Sequence, residues 1–327
     1  MRWPSWSASC GGGRCAMRSL EVRPSSETAN RVFWGLVVVW ALVSLSFAVV
    51  WMFLFSSWAP AWTRVCAMWT QTLPPVARVA AALLALLGLV SGVVAVGTLV
   101  AQVARTRRFI RELSRRRGEV PRSLAALAEA MGLGGRVDVV DDGHPYAFTY
   151  GWRCPRIAVS RALLETLDSS ELQAVLLHEL YHVRQHGPAR LALVRAIARG
   201  LFFLPATSDL ARSYTALEEL AADGFAIYRL GDRWALASAL VKVGRCQQQP
   251  AGLVVAQVAG ADTSLSLRAR QILSHPHPVR VPLARSAPAA LWSLGLAVLL
   301  IGSAVVLAGQ GVVAASTGAC PLLTCFV

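Results

Sequence analysis

The chain has 327 residues and carries 32 basic against 18 acidic side chains, a formal net charge of +14. Apolar residues make up 55% and charged residues only 15%, with a mean hydropathy of +0.50. Soluble domains average about 45–50% apolar and about 25% charged, so the composition excludes a disordered chain and an ordinary water-soluble enzyme and calls for membrane spans.

A spanning helix needs about 20 predominantly apolar residues. Val32–Phe55 is uncharged, Val76–Val103 carries only Arg78, and Ala289–Ala308 is uncharged. None shows the polar face of a soluble core helix. Ala59-Pro60-Ala61 has the small residues of a leader cleavage site. The apolar run before it exceeds the roughly 7–15 residues of a secretory leader, and a long polar tail precedes it, so a retained anchor is expected.

Arginine placement sets the orientation. Residues 1–31 carry Arg2, Arg14, Arg18, Arg23 and Arg31, whereas the 56–75 loop carries only Arg64. Arg105, Arg107, Arg108, Arg111, Arg115, Arg116 and Arg117 follow the second span, and 309–327 is uncharged. The expectation is a multi-pass cell-membrane protein with 1–31 and 104–288 in the cytoplasm and 56–75 and 309–327 outside. The arginine cluster is accompanied by no known nucleic-acid-binding motif, so it reads as a helix end facing anionic lipid and not as a nucleic-acid surface.

Within 104–288, Arg105–Leu133 reads as helix, broken near Gly118 and Pro121. Arg136–Val140, Tyr146–Tyr150 and Arg156–Val159 read as strands, joined by the turn cluster Asp141–Pro145 and by Gly151–Pro155. Ser160 can cap a helix through Leu167, and Asp168-Ser169-Ser170-Glu171 offers caps for a helix from Glu171 to Gln185. Ala189–Leu204 is apolar with Arg190, Arg195 and Arg199 spaced through it. Three arginines are expensive in lipid, so an amphipathic helix on the inner leaflet is expected, with a fourth span as the alternative. Pro205 ends it. Asp209–Leu230 and segments through Leu273 read as helix.

His178-Glu179-Leu180-Tyr181-His182 is an H-E-x-x-H motif on the Glu171–Gln185 helix. Residues four apart share a helix face, so both imidazoles can ligate one Zn²⁺, with Glu179 beside the metal as general base. A catalytic zinc takes three protein ligands and keeps one position open. Glu219 is the candidate third ligand. Asp223, one turn on, can accept the second ring N–H of a ligand histidine. Glu218 has Ala222 at that spacing and is not selected.

The run from Pro145 to Asp223 resembles gluzincin-type membrane metallopeptidases, above all the BlaR/MecR sensor-protease family, on three elements in order. These are Gly151-Trp152-Arg153-Cys154-Pro155-Arg156-Ile157, His178 to His182, and Glu219 to Asp223. HtpX-type membrane proteases share the last two and are the second resemblance. The resemblance implies a membrane α-helical protein with a mostly α, α+β gluzincin-like metallopeptidase domain, a small β-sheet or hairpin lying next to the metal-site helices. It also implies one Zn²⁺ per chain and a protein or peptide substrate, by analogy a cytoplasmic transcriptional repressor. The sensors carry a penicillin-binding domain after the last span. The 309–327 tail has no S-x-x-K, so β-lactam sensing is not expected. An HtpX-like quality-control protease and a non-catalytic zinc-containing sensor are the alternatives.

Ser274-His275-Pro276-His277-Pro278 is a proline-rich connector in which either His275 or His277 is a candidate oxyanion donor, since HtpX-type proteases have a similar His-Pro segment. His144 and His186 are expected at the surface. Seven cysteines are too few for a disulfide scaffold. Cys320 and Cys325 fall outside the membrane in this topology, where they can pair with each other or with Cys66. Cys10, Cys15, Cys154 and Cys246 carry no expected role.

Overall fold

The computed structural model describes residues 14–56, 75–247, 261–274, 279, 281–283 and 286–316. It divides into two compact units. The first comprises 1–32, 103–192 and 212–282. Its sheet has four strands, β1 (Arg117–Gly118), β2 (Val137–Val140), β3 (Ala147–Tyr150) and β4 (Arg156–Ser160), in the order β1-β2-β4-β3. β2 and β4 pair in parallel at the centre, while β1 and β3 add antiparallel at the edges. The central strands are runs of valine, isoleucine and alanine that are buried throughout apart from Arg156, as strands covered on both faces must be. The three expected strands are present, and β1 is an addition where only a break in helix was expected.

The hairpin between β3 and β4 turns at Gly151. Its φ of 93° is left-handed, and a Cβ there would meet the Cys154 carbonyl at 2.9 Å, so only glycine fits. Cys154 itself is exposed. At the other turn the Asp142 carboxylate accepts the His144 N–H at 3.0 Å, and His144, like His186, lies at the surface.

One buried acid ties the strands together. Asp138 on β2 receives two bonds of 2.7 Å from Arg156 on β4, one from the Tyr150 hydroxyl on β3, and an ion pair of 3.2 Å from Arg117 on β1. Burial alone would raise the Asp138 pKa, but the hydrogen bonds from Arg156 and Tyr150 hold it below the usual carboxylate value.

Two short helices, α3 (Arg122–Ala130) and α4 (Arg161–Thr166), flank the sheet. Ser160 caps α4 through the Leu163 N–H. The helix that follows, α5 (Ser169–Gln185), starts with a capping box. Asp168 accepts the Glu171 N–H, and the Glu171 side chain returns to the Asp168 N–H. Lys242 on α8 (Arg233–Gln247) closes on the same buried Glu171 at 2.7 Å. Leu176, Leu180 and Val183 of α5 join Val139, Ile157 and Val159 of the sheet and Leu236 of α8 in the main core.

The second unit comprises 33–102, 193–211 and 283–327. It contains most of α1 (Arg14–Ser56), most of α2 (Pro75–Arg115), and α10 (Ala287–Ser316). Two stretches, Ser25–Trp51 and Val79–Arg115, are long and apolar enough to cross a bilayer. Their outer faces are apolar side chains in the open, such as Leu45 at 62% and Val93 at 63% exposure. The Trp51 indole N–H bonds the Ala85 carbonyl at 3.1 Å.

The expected helix from Ala189 to Leu204 is α6 (Gly187–Gly200), followed by a turn. Its end is packed against α2. Ser91 of α2 donates to the Gly200 carbonyl at 2.8 Å, and a Cβ on Gly200 would sit 2.8 Å from that of Ala95. Small residues allow this approach of two helices. Pro205 ends nothing further. It opens α7 (Pro205–Leu230), where the first turn needs no N–H from it.

Removing the Asp138 carboxylate leaves Arg156 and the Tyr150 hydroxyl without their shared partner, a loss of about 1–3 kcal/mol. Asp138→Ala should lower the thermal midpoint of the detergent-purified protein by several degrees. An unchanged midpoint would show that the sheet does not depend on this acid.

Candidate metal centre

α5 and α7 bring the motif residues together. His178 and His182 are one turn apart on α5, and Glu219 and Asp223 one turn apart on α7, so each pair shares a face. The ligand atoms of His178, His182 and Glu219 all lie within 4.8 Å of one another. The two Nε2 atoms are 3.3 Å apart. Glu219 oxygens stand 3.5 Å from His178 Nε2 and 3.7 Å from His182 Nε2. A tetrahedral ion with bonds of about 2.0–2.1 Å separates its ligand atoms by about 3.3–3.5 Å. The spacing and the His, His, Glu donor set therefore fit zinc.

The surroundings set the protonation. His178 Nδ1 lies 2.8 Å from an oxygen of Asp223, a carboxylate with no exposed surface. That bond puts a hydrogen on Nδ1 and turns Nε2 toward Glu219 and His182. Without an ion, burial and the Arg268 charge push the His178 pKa down, but the bonds to Asp223 and Glu219 prevail and lift it to about 9. Burial keeps His182 below the ordinary histidine value. Burial would raise the Glu219 pKa, yet the His178 bond and the Arg268 charge hold it far below the carboxylate range.

Glu179 is 8% exposed and is not among the three converging donors. Thr149 on β3 donates to its carboxylate at 2.7 Å and to its backbone carbonyl at 3.1 Å. Thr149 was not legible in the sequence, because nothing marks which residue of a strand will face the helix. Arg268 on α9 (Ala261–Ser274) was missed as well. It makes two bonds of 2.8 Å to Asp223 and approaches Glu219 at 3.3 Å. Glu218 is not a solvent-facing neighbour of the site. It is 6% exposed, and burial pushes its pKa up to about 7 against the pull of Arg190 and Tyr214. His275, His277, Cys10, Cys66, Cys320 and Cys325 lie outside the described residues.

Residues 114–204 match the sequence model of Peptidase family M48. Protease HtpX of Psychrobacter sp. (strain PRwf-1) is 37% identical over 71 residues, which are 20% of this chain and 23% of that protein. The match thus spans under a quarter of the curated relative. No solved structure gives a significant match. The two matches support Peptidase family M48 and a metallopeptidase. The family match contains His178, Glu179 and His182 and stops before Glu219 and Asp223.

Because His178 holds its proton up to about pH 9 in the metal-free protein, an ion entering at pH 7 must expel it. Calorimetric titration with Zn²⁺ in buffers of different ionisation enthalpy should count about one proton released per ion at pH 7 and a falling count as pH passes 9. A count of zero at pH 7 would contradict this protonation state.

Proposed function

We propose that the chain is a multi-pass membrane zinc endopeptidase whose active site faces the cytoplasm. The observation that carries this reading is the convergence of His178, His182 and Glu219 with Glu179 alongside. His178, His182 and Glu219 would hold a zinc ion, which would supply Lewis-acid polarisation of the scissile carbonyl and a more acidic water. Glu179 would take the proton from that water and return it to the leaving amine. Thr149 holds one Glu179 oxygen at 2.7 Å, which leaves the other for proton transfer.

Among the described residues β3 pairs only with β4, so its outer edge is available to an extended substrate adding as a strand. The substrate in this reading is a membrane or cytoplasmic protein. Similarity to a protease HtpX favours the HtpX-like alternative, a quality-control protease, over cleavage of a repressor as in the BlaR/MecR resemblance. A structural zinc site is closed by four protein ligands. Three donors converge among the described residues, which argues against the non-catalytic sensor. The spans, from the two long apolar helices and the apolar stretch Ala287–Ser303, and the arginine bias at their ends support the membrane topology.

Glu179→Gln should keep about one zinc per chain and lose peptidase activity, measured as bound metal and as cleavage of an unfolded protein substrate. Glu219→Ala should lose both. Glu218→Ala should keep both but melt earlier, since it empties a buried position. Zinc lost in Glu218→Ala and kept in Glu219→Ala would overturn the assignment.

Topology is tested separately. A reporter active only outside should work when fused after Gln310 or within 59–74 and stay silent at Gly244. Activity at Gly244 would place the metal centre on the other side.

A further inference from the structure

Arg268 is drawn into the centre by α9, a segment the sequence read as helix without a role in the site. α9 docks through Gln271, whose side-chain N–H bonds the Leu220 carbonyl at 2.7 Å, and through Ile272, which is 2% exposed in the core. Leu220 lies between Glu219 and Asp223, so this dock fixes Arg268 against the stretch of α7 that bears both acids. Arg268 is itself only 16% exposed.

Its guanidinium is used on both carboxylates. Nε and one terminal nitrogen reach the two oxygens of Asp223 at 2.8 Å each. The other terminal nitrogen lies 3.3 Å from Glu219. A planar fork can make these three contacts from one rigid group, and an ammonium cannot. Asp223 has no exposed surface, so without the guanidinium its charge would be buried with Glu219 one turn away on α7. An Asp223 freed to rotate would no longer present an oxygen to His178 Nδ1.

We propose that Arg268 is the positioning residue of the metal centre, bridging Asp223 and Glu219 so that the His178 ring orientation and the Glu219 rotamer are set before the ion arrives. This rests on the metal-centre reading above. Arg268 acts on the ion through Asp223 and Glu219, and its role is preorganisation.

The test uses the full chain in detergent, with Arg268→Gln and Arg268→Lys made in the parent and in an Asp223→Asn background. Zinc affinity is measured by competition with a chromophoric chelator, and ligand geometry by the visible absorption of the Co²⁺-loaded protein. Arg268→Gln should weaken zinc about 10–100-fold, the scale for losing an outer partner, and alter the Co²⁺ bands. Arg268→Lys should recover little. In the Asp223→Asn background Arg268→Gln should add less than about threefold, because residues acting as one unit are not additive.

Parental affinity and an unchanged Co²⁺ spectrum in Arg268→Gln would overturn the proposal, as would full additivity with Asp223→Asn. Lost cleavage with intact zinc affinity and spectrum would also overturn it, since Arg268 would then act on substrate. If Arg268→Gln does not fold, Arg268→Lys decides, and a parental spectrum there overturns the proposal. A parent that takes up no zinc would instead refute the metal-centre reading itself.

Discussion

The hydrogen bond between His178 Nδ1 and Asp223, 2.8 Å long, is the constraint on which the centre depends. It decides which ring nitrogen of His178 is free, and it does so across two helices. The helices must therefore lie at one fixed distance. Ala221 and Ala222 have no exposed surface and pack with Tyr181 of α5. Their small side chains let α7 come close enough for Glu219 and Asp223, on either side of them, to reach the histidines. A larger residue at either position would separate the helices and lengthen every ligand contact at once.

Neighbouring acids on α7 are driven to opposite states by one helical step. Successive residues point about 100° apart. Glu219 meets His178, His182 and Arg268 and stays ionised. Glu218 meets Tyr214 and lies in a region where burial dominates, so its pKa is about 7. The same side chain faces the two histidines in one register and lies among core residues in the next. Composition cannot distinguish the two, but register can.

That contrast explains what was legible in the sequence. H-E-x-x-H and the Glu219–Asp223 spacing report positions on a single helix, and helical periodicity reads such positions directly. The caps at Ser160 and Asp168 are local too, and the strands were recognisable from valine and isoleucine runs bounded by turn residues. Arg268 and Thr149 reach the site by tertiary contact alone. Arg268 has Arg270 two residues away, and no local rule says which of the two turns inward. Exposed Arg270 and inward Arg268 differ only because Gln271 and Ile272 fix how α9 is rotated. The contact at the end of α6 was not legible for the same reason: the approach of Gly200 to Ser91 is invisible until α2 is in place.

The sheet clamp and Glu179 are mechanically connected through strand register. Side chains alternate along β3. Ala147 joins the core that contains α5, and Thr149 on the same face reaches Glu179. Phe148 and Tyr150 face the other way, where Phe148 meets Phe109 with ring centroids 5.3 Å apart. A slip of one residue would exchange the faces and put an aromatic ring where Thr149 holds Glu179. What prevents the slip is the pairing of Tyr150 with Arg156, since both side chains end on the same carboxylate, Asp138. Gly151 then closes the turn in a left-handed conformation, with φ of 93°. A buried acid two strands away from β3 thus fixes where the Glu179 carboxylate is held, although it touches neither Glu179 nor the three converging donors.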